Sequence, residues 1–200
     1  MPTFTPSALL DQLTAETHAL IQIVENEFST LPNDALNWPP APERWSIAQC
    51  LEHLNSYGQY YLPKLKRAIE RGEQEPIPAT ERFRSGWLGN YFANSMRPKA
   101  DGSIGLKAKA VKEHTPAAEL DAKAVMAVFQ GQQRELLSLL ERARRVDMQK
   151  LRVPISIARF IRLSVGDTLR FLIAHEQRHI LQAQRVAAAS NLCSDSSIKL

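Results

Sequence analysis

Apolar residues recur at helical spacing in four separate stretches of this chain, and no stretch alternates apolar and polar residues between hairpin-type turns. That pattern specifies an all-α fold. The first stretch runs from about Pro6 to Ser29, with Leu13, Leu20, Val24 and Phe28 along one side, and stops before Pro32. Pro39, Pro40 and Pro42 make Pro32 to Trp45 a link, because each removes a backbone donor and disfavours helix at the residue before it. The second stretch opens on Ser46-Ile47-Ala48-Gln49, a capping box with Trp45 in the staple position. Ile47, Leu51, Leu54, Tyr61, Leu65 and Ile69 carry it to about Arg71. Pro63 should kink or interrupt it, and Gly72 should cap its end.

The connection from Gly72 to Thr115 is too long for a simple bundle turn. Within it, Trp87, Leu88, Tyr91, Phe92 and Met96 predict a short amphipathic helix across the bundle, and Pro98 to Lys112 reads as a basic exposed loop. Thr115-Pro116 predicts the start of a third helix to about Arg144, with Val125, Phe129, Leu136, Leu140 and Ala143 inward. A second crossover, Arg145 to Leu163, is locally extended at Val153-Pro154-Ile155. Ser164, with Asp167 three residues later, caps a fourth helix to about Ala189, beyond which the polar tail should fray. Helices over 6–29, 46–71, 116–144 and 164–189 are each roughly 37 Å long at 1.5 Å per residue. With their long crossover connections they suit a four-helix bundle, one domain over residues 1–190 with a polar tail at 191–200.

Composition narrows the function classes. Two hundred residues, 44% hydrophobic and 23% charged, are enough to enclose a core and argue against disorder. A net charge of +4 is too small to imply nucleic-acid binding. The basic residues Arg142, Arg144, Arg145, Lys150, Arg152, Arg159 and Arg162 are interrupted by Val146, Asp147, Met148 and the apolar run from Val153 to Ala158, and read as solvated charge. Cys50 and Cys193 do not form a disulfide framework. No basic-then-apolar leader opens the chain, and no window approaches a membrane span, so a soluble cytoplasmic protein without a membrane partner is expected.

The chemistry concentrates on the fourth helix. At 100° per residue, Thr168, Phe171, Leu172, His175, His179, Gln182 and Val186 share the inward face. A single inward histidine is usually a core residue, but two at a spacing of four can converge on one ion. His53 supplies a third ligand from the second helix, where Gln49, Cys50, Tyr57 and Tyr60 share its face. Three neutral imidazoles leave coordination positions open for water or substrate, as in catalytic sites. Cys50 reads as a small buried hydrophobe rather than a fourth ligand, and His18 and His114 as surface or packing residues. His175-Glu176-Gln177-Arg178-His179 also matches H-E-x-x-H, the zinc-peptidase pattern. Gln182 and Arg185 stand where an extended metzincin motif needs glycine and histidine, and Asp195 is the sole carboxylate downstream of His179, so the peptidase reading fails.

Trp45-Ser46-Ile47-Ala48-Gln49-Cys50-Leu51-Glu52-His53-Leu54 resembles the opening of the second helix in the DinB/YfiT-like superfamily of metal-binding four-helix bundles. Gly166-Asp167, Leu169 to Leu172 and His175 to Gln182 resemble its fourth-helix signature, and Gly86-Trp87-Leu88-Gly89-Asn90 resembles the insert of one branch. The resemblance implies a divalent metal, zinc or nickel, held by His53, His175 and His179. It also implies either a transferase that uses a low-molecular-weight thiol or a metal-dependent hydrolase. Around such an ion Gln49 and Gln182 would orient ligands or substrate, Tyr57 and Tyr60 would donate hydrogen bonds, and Glu176 would stand behind the ligands. The expected partner is a small-molecule substrate, with no nucleic acid and a homodimer as the assembly to test. The alternative is a non-catalytic bundle that binds metal or ligand.

Overall fold

The computed structural model describes residues 1–75, 80–105 and 111–196, with side chains to residue 190. In chain order the elements are β1 (Thr3–Phe4), α1 (Pro6–Ile23), α2 (Asn33–Asn37), α3 (Ile47–Gln74), β2 (Phe83–Arg84), α4 (Trp87–Met96), α5 (Ala122–Ala143), β3 (Arg152–Ile155), β4 (Ala158–Ser164) and α6 (Val165–Ser196). A π-helical turn, Val24–Phe28, extends α1 and keeps Val24 and Phe28 in the core. Helices α1 and α3 each pack against both α5 and α6, so the two pairs alternate around a four-helix bundle, and α4 lies along α6. Among the described residues no helix is long and apolar enough to cross a membrane.

Several local expectations change. Helix α3 runs uninterrupted through Pro63 to Gln74. Pro63 and Gln59 are both exposed, so the carbonyl that loses its intrahelical donor faces water. Gly72 does not cap α3. It is buried inside the helix, where a Cβ would meet Leu151 and Val146. Helix α5 begins six residues after Pro116, because Asp121 accepts from the Ala124 amide (3.1 Å) while Asn37 on α2 brackets Leu120 and holds it out of the helix. Helix α6 continues to Ser196 rather than fraying from Ser190; residues 197–200 lie outside the described residues, as do 76–79 and the 106–110 part of the predicted basic loop.

The second crossover folds as an antiparallel hairpin that the absence of strand alternation did not predict. Val153 pairs with Leu163 and Pro154 with Arg162. Pro154 and the scattered arginines mask the alternation, yet Val153 and Ile155 are both buried. The other small sheet pairs β1 with β2 and stacks Phe4 on Phe83 at 6.1 Å.

The core falls into two clusters. Leu62, Leu65, Ile69, Leu136, Leu140, Leu169 and Leu172 belong to one. Ile47, Leu51, Leu54, Phe129, Ile180 and Ala183 belong to the other. Along α6 His175 and His179 lie between the residues of one cluster and those of the other, and on α3 His53 lies near the end of the second cluster, between Leu51 and Leu54 and before Tyr61 of the first. The bundle thus places polar rings at a seam in its apolar interior.

Candidate metal centre

Helix α3 is anchored at its first turn, where Ser46 Oγ accepts from the Gln49 amide (3.2 Å) and Gln49 Oε1 accepts from the Ser46 amide (3.0 Å). Such a cap is worth about 1 kcal/mol and fixes where the following residues face. Two turns on, His53 is buried against α6, opposite His175 and His179. The ring centroids of these three lie 4.5–5.0 Å apart. One ring nitrogen from each lies within 4.8 Å of the other two.

Hydrogen bonds aim these rings. His53 Nδ1 donates to the His114 carbonyl at 2.7 Å, leaving a lone pair on Nε2. His179 Nδ1 stands 3.1 Å from Gln182 Oε1, which can only accept, so its Nε2 is likewise bare. Nε2 of His53 lies 3.2 Å from Nε2 of His175. Two nitrogens bound at ~2.0–2.1 Å to one tetrahedral ion would be about 3.3 Å apart. The donor set therefore fits a divalent cation. His175 Nδ1 is buried with no partner.

Electrostatics agree with that fit. Burial pushes His53 down to about 4, against the opposing bond to the His114 carbonyl. His179 is pushed down to about 3, by burial first and then by His53 and Arg178. Burial, followed by the neighbouring imidazoles, lowers His175 well below its ordinary range. All three rings are neutral near pH 7, the form that ligates metals.

Aromatic rings wall the cluster. Tyr57 packs on His175 at 4.3 Å and on His114 at 4.1 Å, and Phe171 lies parallel to His175 at 5.8 Å. Trp45 covers His53 and His179 at 4.8 and 5.7 Å. His114, expected at the surface or in packing, is buried. Ser56 Oγ donates to the His53 carbonyl (2.7 Å) and so accepts from His114 Nδ1 (2.9 Å). Nothing in the sequence around His114 marks it, because its contribution to His53 is a backbone carbonyl.

Other candidates lie elsewhere. Gln49 is occupied by the capping box and by the Ala117 carbonyl (2.9 Å). The Tyr60 hydroxyl donates to the Ile155 carbonyl (3.1 Å). Glu176 is turned to Gln133, which donates to its Oε1 at 3.0 Å. Cys50 is a buried free thiol whose ionisation burial pushes far up, and it is not among the clustered donors.

Comparison with known proteins locates this arrangement in a family. The profile of the DinB superfamily matches residues 9–183. The chain belongs to the DinB superfamily. A search of curated proteins gave no match. Among solved structures the chain is similar to YfiT from Bacillus subtilis, described as a probable metal-dependent hydrolase with an unusual four-helix bundle topology. The two share 12% identity and superpose with a TM-score of 0.55 over 91% of this chain and 87% of that one. At that identity the likeness concerns the fold.

In this DinB-superfamily chain the glycine motifs have a physical reason. Asp167 accepts from Ser164 Oγ (2.8 Å), the Gly86 amide (2.9 Å) and Ser85 Oγ, and pairs with Arg170 at 3.3 Å. A Cβ at Gly89 would lie 2.3 Å from Asp167 Cγ, so only glycine lets α4 approach that carboxylate. The insert is thereby pinned to the start of α6.

Proposed function

We propose that the protein is a divalent-metal-dependent enzyme acting on a small-molecule substrate, with His53, His175 and His179 as the metal ligands. One observation carries this reading: three buried imidazoles from two helices bring a nitrogen each within 4.8 Å of the others. Zinc and nickel suit three imidazole ligands. When bound, such an ion supplies Lewis acidity, toward either hydrolysis by water or transfer of a low-molecular-weight thiol.

The chain's own residues do the positioning. The His114 carbonyl and Gln182 hold His53 and His179 with their Nε2 atoms toward the centre. Trp45, Tyr57 and Phe171 pack around the rings and exclude bulk water, which strengthens the electrostatics of any polar group held there. Three protein ligands leave open the positions that a reacting group needs. The H-E-x-x-H role for Glu176 is not part of the reading, since that carboxyl is committed to Gln133.

The test is metal analysis of protein purified with zinc or nickel, beside His175→Ala. About one ion per chain in the wild type, none in the variant, and turnover only when loaded are expected. Metal uptake without turnover of ester or thiol-conjugation substrates would instead make this a binding protein.

A further inference from the structure

A second feature adjoins the histidines. An apolar cavity of about 70 Å³ lies between α3, α4, α6 and the β3–β4 hairpin. Tyr57 and Phe171 form part of its wall, and these are the same two rings that pack on His175. Phe92 and Met96 of α4 and Leu163 of β4 supply much of the remainder. Ile157, at the hairpin turn and 59% exposed, stands at the mouth.

No charged side chain lines this space. Of its polar groups, the Tyr61 hydroxyl is engaged, accepting from the Ser156 amide (3.0 Å). A polar guest would lose its hydration here without a partner, whereas an apolar one gains by burial. On the scale where an apolar cavity of ~150 Å³ takes benzene, this one takes about three carbons.

We infer that this cavity is the substrate-specificity pocket, receiving a short, uncharged alkyl group of about three carbons attached to a substrate whose reacting polar group lies at the three histidines. This rests on the metal-site reading above and adds the substrate class to it. The insert and the hairpin, neither of which carries a ligand, then serve to set specificity. Longer chains leave through the mouth past Ile157.

The experiment has two arms. In the first, metal-free protein is titrated with n-alkanols from ethanol to hexanol, read by methyl NMR. Shifts should concentrate on the Ile157, Leu163 and Met96 methyls. Affinity should rise about fourfold per methylene up to propanol and then flatten. Ile157→Asp, at an exposed position that leaves the fold intact, should weaken butanol at least tenfold. Scattered shifts, or an unchanged butanol affinity in Ile157→Asp, would overturn the inference. In the second arm, zinc-loaded protein is titrated with n-alkanoates from acetate to hexanoate. The same chain-length increments are expected, with His175→Ala losing the zinc-dependent part of the affinity. Zinc uptake with affinity independent of chain length overturns the pocket's role alone. No zinc uptake, with alkanols still bound, overturns the metal-site reading and with it the assignment of the cavity to that site.

Discussion

Helix α6 carries two buried polar clusters, and they are built on opposite terms. At its start, Asp167 and Arg170 satisfy each other and share Ser85, Ser164, Asn90 and the Gly86 amide. Burial lowers Arg170, and Asp167 opposes that shift. Two turns further on, the histidines face one another with bare nitrogens, and His175 Nδ1 has no partner. The first cluster completes itself and ties the insert to the bundle. The second leaves its polar atoms directed at a shared point, an arrangement that stabilises little until a ligand arrives. Buried polarity therefore divides here between architecture and chemistry according to whether its hydrogen bonds close.

That contrast breaks if the two clusters respond alike to substitution. Asp167→Ala should have the largest effect, about 3–5 kcal/mol of lost stability, because Arg170 stays buried without its carboxylate. Urea unfolding measures it, and added zinc should not restore the loss. His175→Ala should leave the metal-free protein close to wild type. It should, however, remove the stabilisation that zinc at a hundred times its Kd gives the wild type, about 2.7 kcal/mol, visible as a missing Tm shift.

Glu176 sharpens the comparison as a buried carboxyl without a cation. Burial raises it to about 7 against the opposing Gln133 bond, and its Oε2 is unpartnered. The folded protein keeps that proton up to about pH 7, while the unfolded chain releases it near the ordinary carboxyl value of 4.5. The folded state thus binds more protons across this window, and stability falls as pH rises through it. Glu176→Gln should abolish that fall, making the variant more stable than wild type by roughly 3 kcal/mol at pH 8 and no more stable at pH 4. Paired denaturation curves of metal-free protein decide the matter. The smallest effect belongs to Gln182→Ala, which frees the His179 ring and should weaken zinc binding ~10–100-fold, about 1.4–2.7 kcal/mol, by competition with a chromophoric chelator.

Much of this was legible in the residues. The capping box at Ser46 and the Ser164–Asp167 cap mark two helix starts because each is a local hydrogen-bonding pattern. The inward pair His175 and His179 follows from helical periodicity, and the structure buries both. Thr115-Pro116 carries the local start signal for the third helix, but α5 starts after Asp121, because the Asn37 contacts that exclude Leu120 from the helix come from 83 residues away. The amphipathic helix expected from Trp87, Leu88, Tyr91, Phe92 and Met96 is present as α4, but Trp87 and Tyr91 are exposed and Gly89 and Ala93 are buried, since close approach to Asp167 favours the small face.

By itself the sequence determined the four long helices and which face of α6 carries its imidazoles, for helical spacing and capping act within a few residues of chain. Only the tertiary structure decided how His53 meets that pair, that the His114 carbonyl orients it, and that a hairpin and a short helix enclose an apolar cavity beside it. Those outcomes depend on packing between segments far apart in the chain, where many partners are sterically allowed and only the closed bundle selects one.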